Sequence, residues 1–291
     1  MRRYAALALI LLLALPLCAQ RVQEQMLVSP DWLQRRLGMV TLLHVGDAAS
    51  YEARHIPGAV LLDSSSLLVE HDGIPNEMPP IDVLERTFRD AGAGATGTIV
   101  VYGTDPLLAA RAWFTLDYLG QGSRTSLLNG GLAGWMAAGY AVSAAPARPR
   151  PGTFVAHAAP QLVARLGTMR ELIRLRNQLG PNLVLIDARS AAQFCGEEAG
   201  PDVARAGHIP GATNVPYEAN LDAGGALRPV ADLRTLYLRA GVTRNSSNIV
   251  YCRTGVQASL TYFVLRYLGY DVTLYDGSFV EWSNAGETIW S

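Results

Sequence analysis

The chain has 291 residues, 49% of them hydrophobic and 17% charged, with a formal net charge of −1. That length supports two domains with substantial cores, and the sequence has no basic stripe with interleaved aromatics of the kind nucleic acid requires. All 24 basic residues are arginine, which excludes a Schiff-base or phosphate-loop lysine, and with them pyridoxal-phosphate chemistry and the common nucleoside-triphosphatase motif.

Met1-Arg-Arg gives a positive start, Ala5 to Leu17 is apolar throughout, and Cys18-Ala19 precedes polar Gln20-Arg21. The apolar run is shorter than a membrane span and has the pattern of an export signal. Residues 1–19 are therefore expected to be a signal peptide cleaved after Ala19, and the protein to be exported, to the periplasm of a bacterium. An uncleaved anchor and lipid attachment at Cys18 are the alternatives, the latter disfavoured by the large Leu17 before it. Beyond residue 19 only Cys195 and Cys252 remain, too few for a disulfide framework. Cys195, in Phe-Cys-Gly, reads as a small packing residue, with a redox role as a reactive thiol as the alternative. A Cys195–Cys252 bridge would block the thiol chemistry described below. No metal site is expected, since the histidines lack ligand spacing and the cysteines have no companion pair.

The first half then alternates elements. Ser29-Pro-Asp opens a helix with a capping residue and proline in the first turn. Val40 to Val45 reads as a buried strand, Val83 to Asp90 as a helix, Thr98 to Tyr102 as a strand, Ala109 to Leu119 as a helix and Thr125 to Leu128 as a short strand. Ser143 to Pro160 is rich in Ala, Pro and Arg, an extended and semi-rigid linker. The second half gives a helix over Thr168 to Leu179, a strand over Leu183 to Asp187, a helix over Asp232 to Ala240 and strands over Asn248 to Tyr251 and Val272 to Tyr275. Continuous apolar strands alternating with helices predict an α/β fold with a parallel sheet flanked by helices in each half.

The halves repeat one another. His55-Ile-Pro-Gly-Ala59 recurs as His208-Ile-Pro-Gly-Ala212, Val100-Val-Tyr102 as Val250-Tyr251, Tyr118-Leu-Gly120 as Tyr267-Leu-Gly269, and Asn129-Gly-Gly-Leu-Ala-Gly-Trp135 as Asp276-Gly-Ser-Phe-Val-Glu-Trp282. Four blocks in one order mark a domain duplication. The expected boundaries are 27–142 for the first domain, 143–165 for the linker and 166–291 for the second domain. The shared histidines are expected to hold the turn before Pro-Gly, and the shared tryptophans to anchor the cores.

The halves differ at one place. Counting back from the shared Leu-Gly, Cys252 stands where the first half has Gly103. Ile249-Val-Tyr251 is a strand end, and Leu260, Phe263, Val264, Tyr267 and Leu268 lie on one helical face. Cys252 thus occupies a strand–loop–helix turn, where converging N–H groups, the helix start and neighbouring Arg253 are expected to lower the thiol pKa. The first-half loop has no thiol and carries Pro106, which removes a donor. One site is expected, in the second half, with the first half structural or shaping the cleft.

The two His-Ile-Pro-Gly-Ala blocks, Asp187-Ala-Arg-Ser190, Cys252-Arg-Thr-Gly-Val-Gln-Ala and Asp276-Gly-Ser-Phe-Val-Glu-Trp282 together resemble the tandem-domain rhodanese-type sulfurtransferases, over nearly the whole chain beyond the signal. The resemblance implies two tandem rhodanese-like domains. It also implies sulfane-sulfur transfer through a Cys252 persulfide, from a small anionic donor to a thiophilic acceptor such as cyanide, a thiol or a thioredoxin-like protein, without a cofactor. Arg189 matches the family's substrate-binding arginine after the Asp-x-Arg strand end, with a salt bridge as its alternative. Arg253 can hold an anionic donor, Gly255 lets the loop turn, and Thr254, Val256 and Gln257 line it. Asp187 is expected to be a structural acceptor.

Thiosulfate-using members carry Arg then Lys after the cysteine, and mercaptopyruvate-using members Gly, Ser, Gly. Here Arg253 follows the first pattern, and Thr254 stands at the second pattern's serine. Thiosulfate is therefore the favoured donor and 3-mercaptopyruvate the alternative. A cysteine-loop phosphatase would need an arginine six positions after the cysteine, where this chain has Ala258. A non-turnover persulfide carrier or anion-binding module would need the same loop.

Overall fold

The computed structural model describes residues 25–179 and 182–291, so the expected signal and Cys18 lie outside it. Two five-stranded sheets carry the fold, both wholly parallel. The first runs β1-β7-β6-β2-β3, comprising β1 (Leu27–Val28), β2 (Thr41–Gly46), β3 (Val60–Asp63), β6 (Ile99–Gly103) and β7 (Thr125–Leu128). The second runs β8-β12-β11-β9-β10, comprising β8 (Val163–Ala164), β9 (Leu183–Asp187), β10 (Thr213–Asn214), β11 (Ser247–Tyr251) and β12 (Val272–Tyr275). The two orders correspond strand for strand, as the repeat requires. The central strands are apolar runs buried on both faces, as parallel strands beneath helices must be.

At the first helix, Ser29 accepts a hydrogen bond from the Trp32 amide ahead of Pro30 at the first turn. An antiparallel hairpin, β4 (Val69–His71) and β5 (Ile74–Glu77), stands apart from the first sheet. It turns through Asp72 and Gly73, both at positive φ, the chemistry of a tight hairpin. The stretch read as a linker is extended but tied down: Phe154 is fully buried, and Val163–Ala164 forms the edge strand paired with β12.

The two halves share one core. The helices Pro106–Tyr118 and Val256–Tyr267 pack on each other between the sheets. Trp113 meets Phe263 edge-on at 4.8 Å between centroids, and Phe114 meets Tyr262 at 4.8 Å. Tyr262 donates to Asp117 at 2.8 Å. The second of these helices was expected to present one apolar face. Instead every residue from Ala258 to Leu265 is buried, because its other side lies against the partner helix. His55 and His208 hold their turns, with Nδ1 2.7 Å from the Tyr51 carbonyl and 2.9 Å from that of Phe194, respectively.

Candidate active site

Cys252 is the first residue beyond β11, and Gly255 opens the following helix at φ +85. A Cβ at Gly255 would come within 2.9 Å of an Asp276 carboxylate oxygen and 3.0 Å of the Asp276 carbonyl, so both space and torsion require glycine there. The next helix, Ser278–Asn284, orients the loop. Its Phe279 and Val280 amides donate to the carbonyls of Cys252 and Arg253 at 3.0 and 3.1 Å. The amide that follows the Arg253 carbonyl, that of Thr254, acts on the thiol. The Gly255 amide donates to Cys252 Sγ at 3.1 Å.

The thiol is 1% exposed. Burial pushes its pKa up, against the pull of the Ala258, Thr254 and Gly255 amides, and the Asp187 carboxylate pushes the same way as burial. This corrects the expected lowering: the cradle of N–H groups is present, but desolvation outweighs it.

Arg189 is fully buried at the end of β9. Its Nε and Nη2 bind the Asp187 carboxylate at 2.5–3.0 Å, and Nη2 also donates to the Gly207 carbonyl at 2.8 Å. The guanidinium stacks over Phe279 at 3.9 Å. Nη1 has no partner among the described residues, which leaves a buried cationic donor open. The salt bridge and the free donor are thus features of the same side chain.

Arg253 takes a different position. Its Nη1 donates to the Pro201 carbonyl at 3.2 Å and lies 3.5 Å from the Asp202 carboxylate, with the side chain 27% exposed. It is bound to the loop that separates Cys195 from His208, a loop with no counterpart in the first half. Thr254 is buried, and its Oγ1 accepts from Asn76 Nδ2 at 2.9 Å. Val256 and Gln257 are half-buried, and Gln257 Oε1 has no partner among the described residues. Cys195 is exposed and unbridged, so it is neither the packing residue expected nor joined to Cys252.

Sequence reasoning missed four residues around this loop. Asn76 comes from the hairpin of the first half. Arg111, from the first half's buried helix, is fully buried; its Nη1 binds Asp276 Oδ1 at 2.6 Å, and its Nη2 donates to the Asn76 carbonyl at 3.0 Å. Asp276 also accepts the Met78 amide at 2.9 Å. Ser278 Oγ accepts the Cys252 amide at 3.3 Å. The repeat carried a signal for the last two, because Asp276-Gly-Ser stands where the thiol-less half has Asn129-Gly-Gly.

The equivalent place in the first half is instead a cavity of about 80 Å³, lined by residues that include Gly103, Thr104, Asn129, Leu227 and Leu260. There Asn129 Oδ1 accepts the Leu227 amide at 2.9 Å, and Leu260 stands at the position that Arg111 holds in the other copy. An ion pair in one half is replaced by a neutral amide and an apolar side chain in the other.

A rhodanese-like domain model matches residues 29–138 and again 168–285. The chain belongs to the rhodanese family of sulfurtransferases. It is 33% identical over 272 residues to a thiosulfate sulfurtransferase of Pseudomonas aeruginosa, covering 90% of this chain and 96% of that one. It is also 31% identical over 274 residues to the sulfur carrier protein TtuD of Thermus thermophilus, covering 89% and 94%. Among solved structures, the 3-mercaptopyruvate sulfotransferase SseA of Escherichia coli superposes with a TM-score of 0.77 at 29% identity, covering 87% of this chain and 98% of SseA.

Proposed function

We propose that this sulfurtransferase takes sulfane sulfur from thiosulfate onto Cys252 and passes it to cyanide or a thiol. The observation that carries this reading is the convergence of loop amides on a buried thiol, beside an arginine with one unspent donor. Thiosulfate is a compact dianion. Arg189 Nη1 can hold one of its oxygens while the amides face the sulfur. The Cys252 thiol loses its proton to solvent, and the thiolate attacks the outer sulfur of thiosulfate. The S–S bond of the donor breaks, sulfite leaves with the bonding pair, and a persulfide remains. The amides that favoured the thiolate then stabilise the anionic outer sulfur. Cyanide attacks that sulfur, thiocyanate leaves, and the thiolate returns.

Arg253 adds less to this preference than its place in the sequence implies, because Asp202 opposes its charge at the rim. Steady-state turnover of thiosulfate against 3-mercaptopyruvate, with cyanide as acceptor, tests the reading. Faster turnover with thiosulfate that vanishes in Cys252→Ser is the expected result. Preference for 3-mercaptopyruvate would overturn the donor and assign the Thr254 hydroxyl the donor-orienting role. The burial of Cys252 favours a second reading, a persulfide carrier that loads but turns over slowly, as the name of the Thermus thermophilus relative describes that protein. Persulfide loading without turnover would select it. The pattern of residues 1–19 supports export with cleavage after Ala19, and the mass of the amino terminus of protein recovered from cells tests the cleavage: a start at Gln20 is expected, and an intact terminus or one lipidated at Cys18 refutes it.

A further inference from the structure

Ser278 adopts φ +55, a conformation that glycine enters freely and L-residues avoid. The equivalent residue of the first half is Gly131, at φ +54. The backbone turn is therefore common to both halves, but only the half with the thiol places a side chain on it. In the first half no side chain fits, since a Cβ at Gly131 would come 2.6 Å from the Gly103 carbonyl. In the second half the corresponding Cys252 carbonyl is held on the Phe279 amide, and the serine is accommodated fully buried.

The buried hydroxyl has two partners. It donates to the Tyr275 carbonyl at 2.7 Å, which commits its single proton. Its lone pairs can then only accept, and they face the Cys252 amide at 3.3 Å. Strand end, serine and nucleophile are thus joined in one chain of bonds, Tyr275 carbonyl to Ser278 to Cys252. The bond fixes the Cys252 backbone at its amide and satisfies a buried N–H that has no other partner among the described residues. Strained torsions that persist at a functional centre mark sites where geometry is held for chemistry.

We propose that Ser278 is a positioning residue for Cys252, retained in an unfavourable backbone conformation because its hydroxyl holds the thiol in the amide cradle. The proposal rests on Cys252 being the sulfur-accepting nucleophile. Ser278→Gly removes the hydroxyl and relieves the torsion, whereas Ser278→Ala removes the hydroxyl and keeps the torsion. If the role is positioning, both variants lower kcat for sulfur transfer from thiosulfate about tenfold, the equivalent of one hydrogen bond. KM for thiosulfate stays unchanged, since the Ser278 hydroxyl is engaged by the Tyr275 carbonyl and the Cys252 amide. Ser278→Gly unfolds at a higher temperature than Ser278→Ala, so the activity loss follows the hydroxyl and not stability. Hydrogen exchange of the amides of residues 251–254 is measured alongside and accelerates about tenfold in both variants. Wild-type kcat in Ser278→Gly, or unchanged exchange, overturns the inference. A wild-type protein that forms no Cys252 persulfide refutes the functional reading instead, while the exchange measurement still decides whether Ser278 holds the loop.

Discussion

Arg111→Leu removes the cation beneath the active loop. Arg111 and Asp276 are both fully buried, and the pair is joined at 2.6 Å. The variant leaves the Asp276 carboxylate with the Met78 amide as its one donor among the described residues, and it frees the Asn76 carbonyl. Breaking a buried pair by removing one partner costs about 3–5 kcal/mol. At about 2–4 °C per kcal/mol for a chain of this size, the unfolding midpoint falls by about 10 °C. Arg111→Leu combined with Asp276→Asn installs the pairing the first half already has in Leu260 and Asn129, where the amide oxygen accepts a backbone N–H without any cation. The double variant leaves no buried charge unpaired and should regain most of the loss, short of a remainder for the void. Thermal unfolding of wild type, single and double variants, followed by circular dichroism, checks this. A single variant within about 1 kcal/mol of wild type, or a double variant no more stable than the single, refutes the reasoning.

The distinction between what the sequence reveals and what it hides follows the range of the interactions. The central strands are apolar runs whose burial is written in their own residues. The edge strands Leu27–Val28, Val163–Ala164 and Thr213–Asn214 are too short to have a period. The β4 strand is exposed along its length, so no apolar pattern marks the hairpin that carries Asn76. The loop around Cys252 was legible because its neighbours in sequence build it: the Gly255 torsion and the helix start are local. The state of the thiol was not. Its burial is a property of the whole fold, and the hydrogen bonds around the loop join Asn76 to Thr254 across 178 residues and Arg111 to Asp276 across 165. A local reading weighs the amides and Arg253 but not the desolvation, and it therefore reaches the opposite sign for the pKa. Arg253 shows the same limit, since its partners Pro201 and Asp202 belong to an insertion that the repeat comparison leaves unmatched.

Arg189→Lys keeps the charge but loses the planar fork that binds Asp187 while leaving Nη1 open. KM for thiosulfate should rise at least about tenfold, and an unchanged KM would assign Arg189 to the salt bridge alone. Asn76→Ala releases the Thr254 hydroxyl and should lower kcat/KM by about fivefold, one neutral hydrogen bond's worth; an unchanged value would remove the first-half hairpin from the reaction. The last prediction concerns the thiol itself. Burial raises the Cys252 pKa above that of a free thiol, so the folded chain holds this proton more tightly than the unfolded chain does. The rate of Cys252 alkylation by iodoacetamide, followed on its own peptide by mass spectrometry, should therefore rise with pH through a midpoint above that of the urea-unfolded chain. By the same linkage this group contributes stability below the free-thiol pKa, and that contribution is lost as pH rises toward the folded value. A folded midpoint at or below the unfolded one would mean that the amide cradle outweighs desolvation, and the donor would then meet a preformed thiolate instead of a thiol that must first lose its proton.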